Sequence, residues 1–370
     1  MIKTILTPKY FIEVKAYVFL NADAVTRSYH RDTAFIFSEE FMKQRKIFLI
    51  ILTILLPIAA AIICLCIGRM GITVSDIFAS LFGKEIGALK FSVIWNQRFP
   101  RILTAAIAGA GLSVAGCIFQ GMFANPLASP DTLGVASGAS FGAALSILIG
   151  FSMIGTQFFA FIFGFSAIAL TRLCSGGKNG SRITMILAGI MFGSLFSSLV
   201  SLVKFLADTE SQLPAITYWL MGSFGSSGYK SLAFGAPLTV LPIIILMLMR
   251  SKLDLLPLSD DEAASLGANV RLLRGVSSVC AAAITASCVS MCGQVGWVGL
   301  LVPHICRMLF GNHHRYLIPA SVCIGSAFMI VVDTVARTLT ATEIPVSVLT
   351  AIIGAPFFIL ILRKTGGRNL

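Results

Sequence analysis

The sequence predicts an all-α membrane protein, a polytopic bundle of about ten transmembrane helices. Of its 370 residues, 56% are hydrophobic and only 12% are charged, and the mean hydropathy is +0.90. Soluble domains carry about 25% charged residues. A bilayer span needs roughly 20 mostly apolar residues, and stretches of this kind recur along the chain. Together these observations exclude a soluble globular domain.

The apolar stretches define a membrane domain over residues 47–365. The predicted spans are about 47–68, 101–121, 132–150, 152–171, 184–205, 232–250, 275–293, 297–310, 316–338 and 347–363. The connection 206–231 is predicted to hold a short extracytoplasmic helix, 214–222, rather than a span.

Residues 1–46 differ from the rest, because they mix charged and apolar residues and end in a basic cluster, Lys43, Arg45 and Lys46. The apolar run that follows is too long for a signal peptide, and many more spans come after it. We therefore expect a first transmembrane helix preceded by a loosely ordered cytoplasmic extension. Met42 is an alternative start, and N-terminal mass analysis of the natural protein distinguishes the two, since an intact Met1 would reject the late start.

The net charge of +12 is explained by the side of the membrane on which the basic residues lie. Lys and Arg concentrate in the predicted loops on one side, and cytoplasmic loops are enriched in these residues. Both termini are thus predicted to be cytoplasmic in the inner (plasma) membrane. The sequence has no basic stripe interleaved with aromatic residues, so nucleic acid is not an expected partner.

The segment Arg98–Gly142 carries the first functional signals. Arg98 and Arg101 flank Pro100, and because proline favours the first turn of a helix, a helix is predicted to begin there. The dipeptide Asn125-Pro126 is predicted to break the chain, since the residue before a proline leaves the α region.

Small and polar residues within this segment suggest close helix packing. Gly134, Gly138 and Gly142 form overlapping GxxxG steps, a pattern that lets membrane helices approach closely. Gly116 and Gln120 lie one turn apart on the preceding helix. Packing alone would also explain the glycines, so a role in the translocation path remains one of two readings.

A second segment, 293–358, places polar groups at membrane depth. His304, which follows Pro303, lies one turn before Arg307, and Asp333 and Arg337 are spaced i,i+4. Ionisable residues inside a membrane are functional candidates by default. A neutralised structural pair explains Asp333 and Arg337 equally well. A single histidine without partners makes a poor metal site, so no bound metal is expected.

The third segment is the predicted cytoplasmic loop 253–275. Ser259 and Glu262 have the spacing of a capping box, which predicts a short helix. The loop also carries leucine and alanine residues that a solvated loop does not need. Docking of a cytoplasmic partner is the preferred interpretation, and a solvated loop is the alternative.

These segments together resemble the FecCD family of ABC-importer permeases, which includes ferric-siderophore, haem and vitamin B12 permeases. The resemblance covers about residues 47–365. In chain order, the matching motifs are R-x-P-R at 98–101, G-x-x-x-Q at 116–120, NPLA-x-P at 125–130, LG-x-x-x-GA at 133–139, W-x-MGS at 219–223, EA-x-x-LG at 262–267, VGL-x-x-PH-x-x-R at 298–307, HRYL-x-P at 314–319, D-x-x-AR at 333–337, E-x-P at 343–345 and G-x-P-x-F at 354–358. Two serines, Ser259 and Ser347, stand where the family usually has glycine.

The resemblance implies a dimer, of two identical subunits or with a paralogue, whose interface holds the translocation path. It implies two cytoplasmic ABC ATPase subunits and an extracytoplasmic substrate-binding protein as partners, beside membrane lipid. The residues that match the ATPase-coupling loop are Ser259, Asp260, Asp261, Glu262, Ala263, Leu266 and Gly267. Arg98, Arg101 and Arg337 match arginines expected to meet carboxylates of the binding protein. The helix-packing and path positions are Gly116, Gln120, Asn125, Pro126, Gly134, Gly138, Pro303, His304, Arg307 and Asp333.

The chain has no G-x-x-x-x-G-K-[ST] phosphate loop, so ATP and Mg²⁺ are expected on the partner ATPase and no cofactor on this chain. A transport subunit that is not itself an enzyme is therefore predicted, with an iron–siderophore complex as substrate and haem or cobalamin as alternatives. An ion-coupled secondary transporter is the rival from another class, but it would need carboxylates in mid-membrane. A membrane-embedded enzyme would need a catalytic cluster such as HExxH, which the sequence lacks.

Overall fold

The computed structural model describes residues 49–176, 182–259, 262, 265–266 and 269–365. The chain divides into two compact units, Met1–Leu52 and Thr53–Leu370. Only 49–52 of the first unit are described. The predictions for the N-terminal extension and for Met42 therefore lie outside the described residues.

The described part of the chain is built from helices, and no strand occurs in it. The helices are α1 (Leu49–Cys66), α2 (Val74–Leu81), α3 (Ala88–Ser92), α4 (Phe99–Phe123), α5 (Val135–Ile149), α6 (Met153–Cys174), α7 (Arg182–Leu206), α8 (Gln212–Met221), α9 (Tyr229–Leu248), α10 (Val270–Cys292), α11 (Val298–Phe310), α12 (His314–Thr338) and α13 (Val346–Thr365). The predicted all-α membrane bundle is thereby confirmed.

Length separates the membrane helices into two kinds. Among the described residues, 7 helices are long and apolar enough to cross a bilayer, counting α3 and α4 as one. Three shorter apolar stretches, Val135–Ile149, Val298–Phe310 and Val346–Leu360, occupy three of the predicted spans. At 1.5 Å per residue a 15-residue helix extends only about 22 Å, less than the bilayer core. Non-helical chain leads into α5 and α11.

The helix that carries Arg98 and Arg101 begins earlier than predicted. It starts at Ala88, and a π-helical turn, Val93–Arg98, joins α3 to α4. The expectation that a helix begins at Pro100 is therefore wrong. Pro100 lies in the first turn of α4, and the wider turn before it removes the need for a chain break at the proline.

The centre of the bundle consists of α4 and α10, of which 83% and 78% of the apolar window is buried. Around α4 pack α9, α10, α11 and α12, and α5 packs against α6 and α7. By contrast, only 28% of the apolar window of α7 is buried within the chain. Most of α7 is therefore available to surroundings outside this chain.

Glycines bring main chain against main chain around α4. A Cβ at Gly116 would overlap the carbonyl of Gly299 in α11, and one at Gly109 would overlap that of Gly325 in α12. Gly138, on α5, faces α6, where a Cβ would lie 2.6 Å from the Phe163 oxygen. Any larger residue at these positions would force the helices apart.

The connection 124–134 returns from the end of α4 into the bundle. Ala124 ends α4 with φ 49°, and Asn125 caps the turn by accepting a bond of 2.9 Å from the Leu127 amide. A 3₁₀ turn, Pro130–Leu133, then leads to Gly134, whose φ of 72° starts α5. Gly134 lies against Gly189 and Gly193 near the middle of α7. The connection thus reaches about half the depth of the bundle.

Candidate functional site

Three separate regions of the described chain hold the residues with chemistry. We call the end of the bundle with Arg98 and Arg101 the arginine end. The opposite end, with Asp254 and Ser259, is the loop end. A mid-depth region lies between them, where the connection 124–134 meets α7.

Arg101 is the centre of a charged network at the arginine end. Its Nε and Nη2 donate to the Asp333 carboxylate at 2.9 and 2.8 Å. Nη1 and Nη2 donate to Glu343 at 2.7 and 3.1 Å. Such two-pronged pairs between a guanidinium and a carboxylate are the strongest ion pairs in proteins. They join α4 to α12 and to the connection before α13.

The two carboxylates on Arg101 differ in exposure. The Asp333 side chain is 1% exposed and rigidly held on α12, whereas that of Glu343 is 40% exposed on a non-helical connection. Hydrogen bonds from Arg101 outweigh burial and hold the pKa of Glu343 below its usual value. Glu343 is accordingly ionised at neutral pH.

Arg98 and Arg337 are bound by carbonyl oxygens rather than by carboxylates. Arg98 donates to the carbonyls of Leu65, Cys66 and Met70, and Arg337 donates to that of Cys64 at 2.6 Å. The i,i+4 pair expected between Asp333 and Arg337 is long, at 3.9 Å. The principal partner of Asp333 is Arg101 instead.

These side chains line a cavity of about 610 Å³ at the arginine end. Its charged walls are Arg69, Arg98, Arg101, Arg337 and Glu343. All three arginines predicted to dock a binding protein thus face one cavity, where each also has partners within the chain. Their docking role stays a prediction.

The predicted packing residues meet at the contact of α4 with α11. Gln120 donates to the Gly299 carbonyl at 3.3 Å and accepts a bond from Arg307. His304, one turn earlier, lies instead beside the rings of Phe357 and Phe358. Pro303 is buried inside α11. No group of three or more His, Cys, Asp or Glu residues suited to a metal occurs among the described residues.

Asp131 lies at mid-depth, and no sequence motif identified it as a candidate. It lines a crevice with Leu112, near the middle of α4, and with Thr285 and Trp297. Its side chain is exposed. Among the described residues none forms a hydrogen bond or ion pair with its carboxylate. The residue directly follows Pro130, within a stretch broken by two prolines, and nothing in that local pattern indicates its depth.

A row of exposed serines on α7 was missed as well. Ser194, Ser197, Ser198 and Ser201 follow the spacing of one helix face, and all four are exposed. Ser198 and Ser201 donate to the carbonyls one turn back, at 3.0 and 3.1 Å. Their remaining lone pairs point away from the helix backbone, so the face can accept hydrogen bonds. The period of hydroxyls within an apolar helix was the signal that could have found it.

At the loop end, the predicted capping box is present. The Ser259 amide and hydroxyl donate to the Glu262 carboxylate at 2.8 and 2.9 Å. Leu266 is 64% exposed, and the coupling positions Asp260, Asp261, Ala263 and Gly267 lie outside the described residues. Arg182 and Arg274 both donate to the Leu258 carbonyl, which ties the loop to α7 and α10.

A second polar contact anchors the beginning of this loop. Asp254 accepts bonds from the His314 amide at 2.8 Å and from its Nδ1 at 2.7 Å. Burial raises the pKa of Asp254, but the bonds from His314 and His313 outweigh it, so the pKa lies below its ordinary value. The loop is thereby fixed to the N-terminus of α12.

Comparison with known proteins identifies the family. The model of the FecCD transport family matches residues 54–364. The chain belongs to the FecCD family. It is 43% identical over 325 residues to the molybdate import permease MolB of Haemophilus influenzae, covering 86% of this chain and 96% of that protein. It is 35% identical to an iron chelatin permease of Helicobacter pylori, over 78% of this chain and 87% of the relative.

A solved structure presented as a metal-chelate type ABC transporter, in an inward-facing conformation, matches with a TM-score of 0.79. The identity is 40%, and the match covers 85% of this chain and 99% of that one. Other relatives are named for haemin, Fe(3+)-citrate and cobalamin. This FecCD protein is therefore a multi-pass permease subunit of an ABC importer in the inner membrane, without enzymatic activity of its own. Permeases of this family work with ATPase subunits.

Proposed function

We propose that this FecCD permease is one of two membrane subunits, identical or paralogous, of an importer for a metal-containing anion. The observation that carries the proposal is the family match over 54–364, together with a cation-rich cavity at one end of the bundle. Two cytoplasmic ATPase subunits would supply the energy, and an extracytoplasmic binding protein would deliver the solute.

The arginine end is proposed to face the outside, and the loop end the cytoplasm. The positive-inside rule supports this orientation, because the basic cluster Lys43, Arg45 and Lys46 precedes α1, whose last residues meet Arg98 and Arg337 at the arginine end. Arg172, Arg182 and Arg274 add positive charge at the loop-end termini of α6, α7 and α10. Exposed Leu266 suits a contact with an ATPase subunit at that end. Movement of the loop would reach the bundle through Arg182, Arg274 and Asp254.

The translocation path is proposed to run along the exposed face of α7. Hydroxyls and a carboxylate at mid-depth are unfavourable against lipid, where a charged side chain costs about 2.5–3.5 kcal/mol by insertion scales. The exposed hydroxyls of Ser194, Ser197, Ser198 and Ser201 and the carboxylate of Asp131 therefore suit a water-filled path between two subunits. This agrees with the expectation of a path at the dimer interface.

Molybdate is the first candidate substrate. A relative named for molybdate has the higher identity, 43% against 35% for the relative named for an iron chelatin. The cationic cavity suits a compact dianion, because fixed charge of one sign concentrates ions of the other.

An iron–siderophore complex, predicted from the sequence as the substrate, becomes the second candidate. The relative named for iron chelatin transport and the solved structure of metal-chelate type support it. Haem and cobalamin remain candidates through further relatives.

Uptake by cells with and without the gene tests these assignments. Radiolabelled molybdate and a ferric siderophore would be supplied in parallel, with haem and cobalamin as further probes. We expect molybdate uptake to be lost in the deletion and restored by the gene, and to resist a protonophore while ATP is maintained. Dependence of siderophore uptake alone would make iron chelate the substrate. Uptake that collapses with the protonophore at constant ATP would contradict an ATP-driven importer.

A further inference from the structure

The cavity at the arginine end carries excess positive charge. Four guanidiniums, of Arg69, Arg98, Arg101 and Arg337, face it or border it, against the carboxylates of Glu343 and of Asp333 behind Arg101. Four positive and two negative charges leave a net charge of +2. Charges interact more strongly where bulk water is partly excluded, so the four arginines repel one another in this cavity. An anion bound among them would relieve that repulsion and be stabilised by all four.

Two of these guanidiniums converge on one position. A Cβ placed on Gly68 would overlap Arg98 and lie 3.0 Å from Nη1 of Arg337. Carbonyl dipoles hold both groups, and a dipole orients a guanidinium without neutralising it. The Arg337 side chain is 11% exposed, and its Nε makes no hydrogen bond but lies 3.9 Å from the Asp333 carboxylate.

Glu343 is the exchangeable partner in this arrangement. Asp333 is buried on a helix and cannot leave Arg101 without unpacking α12. Glu343 is half-exposed on the connection between α12 and α13, and among the described residues its only other side-chain hydrogen bond is one of 3.4 Å from Ser223. Water reaches the Glu343 carboxylate, which is 40% exposed, but not that of Asp333, which is 1% exposed, so Glu343 is the more readily displaced of the two partners of Arg101.

We infer that this cavity is a binding site for a small oxyanion, and that Glu343 occupies the anion position while the site is empty. The inference rests on the proposed function, because it makes the cavity the place where an anionic solute first meets the permease. An arriving oxyanion takes the donors of Arg101 that Glu343 releases and is further stabilised by the charges of Arg98 and Arg337, which line the same cavity. The connection before α13 is then freed, which couples occupancy to the position of α13.

Anion binding to the purified permease with its ATPase subunits, reconstituted in lipid nanodiscs without a binding protein, tests the inference. Isothermal titration would use sodium molybdate, with sodium acetate in parallel. The comparison is between the wild type, Glu343→Gln and Glu210→Gln. Glu210 is an exposed carboxylate that does not line the cavity.

Glu343→Gln removes the internal competitor, so we expect it to bind molybdate about tenfold more tightly than the wild type, while Glu210→Gln matches the wild type. Tighter molybdate than acetate binding would identify a free tetrahedral oxyanion as the occupant. Equal binding would identify carboxylates, such as those of a docking protein, as the source. Affinity for both anions that is unchanged or weaker in Glu343→Gln would overturn the inference.

Ser223→Ala keeps the test decisive if Glu343→Gln fails to fold. It removes the 3.4 Å bond to Glu343 together with the 2.9 Å bond that the Ser223 hydroxyl accepts from the Gly225 amide, and we expect about a twofold gain in molybdate affinity. No gain would count against the inference. Since binding is measured without transport, a permease that binds molybdate but fails to import it would refute the proposed substrate and leave the site intact.

Discussion

At the scale of single residues, two helix glycines, Gly116 on α4 and Gly193 on α7, have opposite surroundings. A Cβ added to Gly116 would overlap the main chain of Gly299, which cannot move aside. A Cβ added to Gly193 would lie 3.6 Å from its nearest neighbour, the Cα of Gly134, which is an ordinary van der Waals contact. Both lie inside long helices. The effect of adding one methyl group should therefore differ in sign between them.

We predict that Gly116→Ala destabilises the permease by about 1–3 kcal/mol, because overpacking forces α4 and α11 apart. Gly193→Ala should be neutral or stabilising by about 0.5–1 kcal/mol, since alanine favours a helix. Thermal unfolding in detergent would measure both. Equal stability of the two variants would show that the contact between Gly116 and Gly299 is not tight.

Asp131 offers a second test at this scale. Because no described residue pairs with its carboxylate, Asp131→Asn should leave assembly and stability unchanged. In a path for an anion the fixed negative charge is a barrier, so uptake of molybdate should rise by about twofold or more in the variant. Glu210→Gln is the control for an exposed charge. Loss of stability with an unchanged uptake rate would mean that Asp131 is paired across an interface instead.

At the scale of elements, apolar length and composition predict which segments are helices. The short helix 214–222 was predicted from its composition and is α8, Gln212–Met221. The start at Pro100 was wrong, because local sequence does not reveal that a π-helical turn carries the helix through. The break at Asn125-Pro126 was evident, but not its depth, which depends on Gly134 meeting α7.

The candidate site, too, could be predicted from the sequence only in part: its residues were identified, but not which of them pair. The motifs identified Arg98, Arg101, Asp333 and Arg337, but spacing along the chain favoured Arg337 as the partner of Asp333. Its principal partner, Arg101, is 232 positions away. Glu343 is 242 positions from Arg101, so only the tertiary fold reveals the network. Asp131 escaped notice because its depth comes from the fold around it.

The loop at the end opposite the arginines can be tested as an element. Leu266 is 64% exposed there, and Leu339, at the arginine end, is 66% exposed. We predict that Leu266→Glu abolishes stimulation of the partner ATPase, because a charge replaces an apolar docking contact, while Leu339→Glu preserves it. ATP hydrolysis by the reconstituted complex measures the effect. Full stimulation with Leu266→Glu would exclude this loop from coupling.

At the scale of the whole molecule, orientation across the membrane determines which end meets which partner. All nine cysteines lie among the described residues, and only Cys174 is exposed. Single added cysteines therefore stand out against a low background of labelling.

We predict that Glu210→Cys reacts with a membrane-impermeant maleimide in intact cells, because it lies on the connection at the arginine end. Lys252→Cys, at the loop end, should react only after permeabilisation. Both positions are exposed, and the wild-type chain supplies the background. The reverse pattern would invert the proposed topology and exchange the sites for the binding protein and the ATPase.

The main-chain contacts around α4 also determine how a displacement at one end of the bundle is transmitted to the other end. Helices that touch through glycine have no layer of side chains between them that could deform and absorb the displacement. For this reason we expect α4, α11 and α12 to move as one rigid body, held together at the Gly116–Gly299 and Gly109–Gly325 contacts. α7 has room to move, because only 28% of its apolar window is buried within the chain. A displacement that begins at the cytoplasmic loop should therefore appear as a movement of α7 relative to the rigid body of α4, α11 and α12.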